Sequence, residues 1–179
     1  MSVKTVLVTP NQILDKKAQK VGDITDEIKN VAKDLLDTVK VAKNPEGAGL
    51  AAPQIGVSKR IVVVRNFFED PAYPENIRSD DMVLINPKIT SHSTDAELDW
   101  EGCLSVPDCY GLVERFKKIK ATAKDLNGNT LKIKAEGFFA RTIQHEIDHL
   151  DGVLFTSKIV GKTVSQKEFD EIIEKEKLL

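Results

Sequence analysis

Residues 118–135 alternate apolar and polar side chains on both sides of Asn127-Gly128. Ile119, Ala121 and Ala123 form one apolar set, and Leu131, Ile133 and Ala135 form the facing one. A period of two on both flanks of an Asn-Gly turn predicts an antiparallel hairpin with one buried face. It is the clearest hairpin in the chain. The run Ile61-Val62-Val63-Val64 is apolar throughout and bounded by Arg60 and Arg65, which predicts a second, fully buried strand. Residues 82–90 read as another strand, interrupted by Pro87. Residues 66–81 hold two prolines and many polar groups, and they read as a long, passive surface loop.

Helical spacing appears in three places. In residues 26–40, Ile28, Val31, Ala32, Leu35, Leu36 and Val39 share a face, with Thr25 as N-cap and Asp26 and Glu27 in the first turn. After Gly137, Phe139, Ile143, Ile147 and Leu150 define a second amphipathic helix, and Gly152 stops it. A third, at about 165–178, opens with the capping-box pair Ser165 and Glu168 and carries Phe169, Ile172, Ile173 and Leu178. No β-α-β rhythm is present. The expected class is α+β, with mostly antiparallel strands around the second helix, in one domain spanning residues 1–179.

The 26 basic and 28 acidic residues leave a net charge of -2, which gives no electrostatic case for nucleic acid as a partner. No apolar run reaches membrane-spanning length, and the start MSVKTVLVTP has no signal-peptide core. The expected location is the cytoplasm, with Cys103 and Cys109 reduced.

Chemistry concentrates in QHEIDHLDG, residues 144–152. His145 and His149 lie one turn apart on a helix, so their rings share a face and can hold a divalent metal, and Glu146 between them can reach a water on it. The plain alternative is a solvated helix with incidental histidines. Against it, the helix is strongly periodic, and two of the chain's three histidines fall in the motif. A catalytic site needs a third protein ligand. His92 sits between serines and reads as a surface residue. Cys103 follows Gly102, which allows a close backbone approach, and is the better candidate. Spacing alone does not separate it firmly from Cys109. The stretch GAGLAAPQIG, residues 47–56, fits neither a P-loop nor a dinucleotide fingerprint. It reads as a turn or as a backbone edge for an extended ligand, with Gln54 as a side-chain donor.

Taken together, GAGLAAPQIG, EGCLS and QHEIDHLDG, in this order, resemble the three signature motifs of the bacterial peptide deformylases from about residue 4 to about residue 160. The resemblance implies Cys103, His145 and His149 as metal ligands. It implies Glu146 as general acid and base, and Gln54 with the Leu104 N–H as donors to the oxyanion. The implied reaction is removal of the formyl group from the N-terminal formyl-methionine of nascent polypeptides, by hydroxide that the metal makes available at neutral pH. The peptide would add as a strand against Ala48, Gly49 and Gly102. The methionine pocket would be walled by Leu50 and by the helix turn at Arg141 and Thr142. The working metal implied is Fe²⁺, with Zn²⁺, Ni²⁺ or Co²⁺ forms in purified protein.

Two departures stand out. Ala48 replaces the family's bulkier Ile or Val. Better-known members dock on the ribosome through a basic C-terminal helix, whereas residues 165–179 carry Lys167, Lys175 and Lys177 against Glu168, Asp170, Glu171, Glu174 and Glu176, which weakens the case for that contact here. Two other classes remain. An HExxH peptidase usually takes its third ligand downstream as Glu or His, but no histidine follows His149 and the next glutamate is Glu168. A non-catalytic binder of formylated peptides or of the ribosome has no reason to keep Gln54, Cys103, Leu104, His145, Glu146 and His149 together.

Overall fold

The computed structural model describes residues 2–43, 46–70 and 73–176. Its elements are α1 (Asp26–Val41), β1 (Gly49–Ala51), β2 (Ile61–Asp70), β3 (Tyr73–His92), β4 (Ala96–Cys103), β5 (Val106–Phe116), β6 (Lys118–Lys124), β7 (Thr130–Glu136), α2 (Gly137–Leu150) and α3 (Gln166–Glu176). A five-stranded sheet runs β1-β2-β3-β6-β7, and β4 and β5 form a separate ribbon. Every pairing between these strands is antiparallel.

The all-apolar run at 61–64 follows from the layering. Val62 and Val64 point into one cluster with Ile143 and Leu150 of α2. Ile61 and Val63 point the opposite way, into a second cluster with Leu35 and Val39 of α1. Alternate residues of a strand face opposite sides, so a strand covered on both faces has no polar positions. The β6–β7 hairpin has the expected register, with Ile119 opposite Ala135, Ala121 opposite Ile133 and Ala123 opposite Leu131. Thr25 caps α1 by accepting the Ile28 N–H at 3.4 Å. At α3, Ser165 and Glu168 exchange the reciprocal bonds of a capping box, at 2.8 and 3.3 Å.

Among the described residues, 66–70 and 73–81 are strand and not loop. The β2–β3 pairing continues outward through Asn66 opposite Asp80, Phe67 opposite Ser79 and Glu69 opposite Ile77. Over this outer half β3 has no second neighbour, because β6 pairs with it only from Ile85 to His92. Among its described residues the outer ribbon buries only Asp70, and Phe68, Tyr73 and Ile77 stay exposed. Without a buried face, no alternation is imposed on the sequence, and the strand signal disappears. Polar cross-strand contacts take its place: Arg65 donates to Asp81 and Ser79, both at 3.1 Å. Pro87 falls where the β3–β6 register shifts between Ile85 and Lys88, the irregular step that a residue without an N–H requires. Residues 71 and 72 of the expected loop, and Lys177 and Leu178 of the expected third helix, lie outside the described residues. Among the described residues, no helix is long and apolar enough to cross a membrane.

Candidate metal centre

Helix α2 lies on the sheet by its Ala140, Ile143 and Leu150 face. The same helical period that buries this face turns His145 and His149 toward β4 and Glu146 toward Gly49 of β1. Cys103 is the last residue of β4, and the tight Leu104-Ser105 turn follows it. Ligand atoms of Cys103, His145 and His149 all lie within 4.8 Å of one another. Cys103 Sγ is 3.2 Å from His149 Nε2. Tetrahedral ligands at bond lengths of 2.0–2.3 Å sit roughly 3.3–3.6 Å apart, so the donor set is nearly closed around a cation-sized point. One thiolate and two imidazoles suit zinc or iron. Cys109 is outside the cluster and packs beside Val113 and Phe155, and His92 is exposed and stacked on Phe116.

His145 is oriented by Glu101. Its Nδ1 lies 2.9 Å from Glu101 Oε2, which leaves Nε2 for the cluster. Glu101 also receives Arg115 through both oxygens, at 2.9 and 3.0 Å, and Arg141 at 2.9 Å. Burial alone would raise the Glu101 carboxyl, but the bonds from Arg115 and His145 outweigh it and hold the group well below the usual carboxylate range. On His149 burial disfavours the charged form and is reinforced by His145, so the ring stays neutral, as a ligand must.

Glu146 is nearly inaccessible, and its Oε2 has no hydrogen-bond partner in the protein. Burial pushes its carboxyl up to about 7, against a smaller opposing pull from His145. An unpartnered buried carboxyl oxygen requires a water or a ligand beside it. Room for this group comes from Gly49: a Cβ there would lie 2.5 Å from Glu146 Oε1. The close approach anticipated at Gly102 also has a defined neighbour, since a Cβ there would lie 2.5 Å from Cε1 of Tyr110.

Gln54 is fixed at both ends. Its Oε1 accepts the Ala51 N–H at 2.8 Å, and its Nε2 donates to Ser105 Oγ at 3.1 Å and faces Cys103 Sγ at 3.7 Å. The N-terminal segment braces the adjoining turn, with Leu7 N–H donating to the Gln54 carbonyl and Thr9 N–H to that of Ser105. A cleft of about 200 Å³ opens over the cluster, lined in part by Ala48, Gly49, Gln54, Gly102, Leu104, Arg141 and Thr142. Leu50 is not on it. It alternates away from Gly49 and packs with Val39 and Ile61 in the second core cluster, so it cannot wall a pocket on this side. Arg141 lines the cleft while its guanidinium is held by Glu101 and by the carbonyls of Val113 and Glu97, both at 2.8 Å.

Sequence reasoning missed Glu101, Arg115, Ser105, Tyr110 and Phe169. Glu101 and Ser105 left a trace, as the first and last residues of EGCLS. Tyr110 and Phe169 are brought to the cleft by β5 and α3, and Arg115 to Glu101 by β5, from positions with no local chemical signal.

A buried carboxyl beside three donors that could hold a cation, reached by an open cleft, is the make-up of a metal-dependent hydrolase. The family model described as polypeptide deformylase matches residues 3–165. The chain is 47% identical to peptide deformylase 1 of Prochlorococcus marinus (strain MIT 9313) over 161 residues, covering 89% of this chain and 82% of that one. It is 42% identical to the peptide deformylase of Dictyoglomus thermophilum over 166 residues, covering 93% and 99%. Its fold is similar to the crystal structure of the class I type b peptide deformylase from Acinetobacter baumannii with Met-Ala-Ser bound, with a TM-score of 0.77 and 36% identity over 89% of this chain and all of that one. The chain belongs to the peptide deformylase family, whose members are metal-dependent hydrolases that remove the formyl group from N-terminal formyl-methionine.

Proposed function

We propose that this chain deformylates nascent peptides beginning with formyl-methionine, with Cys103, His145 and His149 holding one divalent cation and Glu146 moving the proton. The observation that carries the reading is the buried, partnerless Oε2 of Glu146 beside the three-donor cluster. When bound, the cation supplies a water acidic enough to yield hydroxide near neutral pH. A carboxyl held near 7 is matched to taking that water's proton and returning it to the departing amine nitrogen. Gln54 Nε2 and the Leu104 N–H are the donors to the oxyanion. Gln54 has one orientation available, because its oxygen is bonded to the Ala51 N–H.

The peptide adds to the free edge of β1, the outermost strand of its sheet, along Ala48 and Gly49, with Gly102 on its other side. Arg141 and Thr142 flank the methionine side chain. Met-Ala-Ser, seen on the Acinetobacter relative, is what deformylation of formyl-Met-Ala-Ser would leave. Fe²⁺ is the assigned metal in the cell, on family membership, since the donor set accepts Zn²⁺, Ni²⁺ or Co²⁺ as well. A nascent-chain substrate places the work in the cytoplasm. The acidic α3 is not assigned a ribosome contact.

The test is release of free amine from formyl-Met-Ala-Ser by protein purified without oxygen with its Fe²⁺ retained. Rapid turnover that falls after exposure to air is the expected result. No turnover by fully metal-loaded protein would overturn the proposal.

A further inference from the structure

Helix α3 has no fully buried residue, yet it reaches the cleft. Phe169 stacks on Tyr110 with ring centroids 4.3 Å apart and planes 3° from parallel. It also meets Trp100 edge-on at 5.7 Å. The first turn of the helix is tied down at the same place. The Gln166 N–H donates to Asp108 Oδ1 at 2.8 Å, and the Tyr110 hydroxyl donates to Gln166 Oε1. Phe169, Tyr110 and Trp100 all line the cleft that leads to Cys103.

Their place along β4 indicates what they meet. Trp100 lies three positions before Cys103 on the same strand, and a strand advances about 3.3 Å per residue, so the aromatic group stands roughly 10 Å from the cation cluster. An extended peptide advances at the same rate. With its formyl group at the cluster and methionine next, it passes these rings with the residues that follow methionine. We propose that Phe169, with Tyr110 and Trp100, is a specificity-determining wall for apolar side chains in the two residues after methionine, which makes the C-terminal helix part of the substrate site. This rests on the deformylase reading above. An apolar side chain gains aromatic contact area there, and glycine gains none.

The experiment compares formyl-Met-X-Ser and formyl-Met-Ala-X peptides, with X as Gly, Leu or Phe, on wild type, Phe169→Ala and Phe169→Leu, all metal-loaded. Wild type should favour Phe over Gly in at least one series by about five- to tenfold in kcat/KM, expressed in KM. Phe169→Ala should bring that ratio close to 1, and Phe169→Leu should keep most of it. A wild-type ratio near 1 in both series would overturn the wall, as would a ratio that Phe169→Ala leaves intact while all substrates slow equally. Trp100 is the chain's single tryptophan, so its fluorescence reads binding of the product peptides without chemistry. Met-Phe-Ser or Met-Ala-Phe should shift its emission more than the glycine peptides in wild type but not in Phe169→Ala. Equal shifts for all peptides would count against the wall. A selective shift without turnover of any formyl peptide would support the wall and sink the deformylase reading instead.

Discussion

Replacing Glu101 by glutamine should weaken metal binding without touching a ligand. The carboxylate makes four bonds: Oε1 accepts Arg115 Nε and Arg141 Nη1, and Oε2 accepts Arg115 Nη2 and the His145 Nδ1 proton. An amide has one oxygen. If that oxygen takes the Oε1 position, the NH₂ group faces His145 Nδ1 and a guanidinium N–H. The imidazole can then pair only as an acceptor at Nδ1, which puts its proton on Nε2 and removes the lone pair a metal needs. The flipped amide turns its NH₂ to two guanidinium donors, which is worse. Loss of such a supporting partner typically weakens metal affinity 10- to 100-fold, or about 1.4–2.7 kcal/mol. The metal-free protein should also lose stability. Breaking a buried ion pair costs about 3–5 kcal/mol, here an upper bound because Arg115 keeps Asp148. The assay is Zn²⁺ competition against a chromophoric chelator, with thermal unfolding of the metal-free protein run alongside. Zn²⁺ affinity within twofold of wild type, in a folded variant, would refute the tautomer argument.

Other expectations follow from single contacts. Gly49→Ala places a Cβ 2.5 Å from Glu146 Oε1, so it should keep the metal by elemental analysis and lose about 100-fold in kcat, since a displacement near 1 Å suffices for that. Asp81→Asn should be destabilising in a pH-dependent way. Burial would raise the Asp81 carboxyl, but Lys40, Ser79 and Arg65 outweigh it and hold the group below its ordinary value. A depressed carboxylate contributes stability above its unfolded pKa, near 3.9, and loses it as pH falls through the folded value. The Tm gap to wild type should be full at pH 7 and vanish under strongly acid conditions; a gap independent of pH would contradict this. Stripping the metal with a chelator should lower Tm, and restoring Zn²⁺ should recover it, as a ligand that binds only the folded state requires.

What the sequence disclosed depended on whether the signal was local. The α2 face, the 118–135 hairpin, the Thr25 cap of α1 and the start of α3 rest on neighbours within a few residues, and all are legible in the sequence. The outer half of the β2–β3 ribbon is not. Its stability comes from cross-strand partners such as Arg65 and Asp81, sixteen positions apart, and it buries no face. Leu50 was misplaced because an apolar residue beside a motif gives no sign of which side of β1 it takes. Glu101 stands two residues before Cys103. Its role follows from Arg115, Arg141 and His145, which only the packing of β5 and α2 against β4 brings to it. Phe169 looked like part of an ordinary amphipathic stripe, and its stacking on Tyr110 depends on where the preceding chain returns α3.

The central claim is that Glu146 moves the proton at a cation held by Cys103, His145 and His149. The most direct measurement is turnover of formyl-Met-Ala-Ser by Glu146→Gln, with bound metal counted in the same sample. One metal ion per chain and a kcat lower by about 10²–10⁴ is the predicted result. Wild-type turnover in that variant, with the metal in place, would contradict the account.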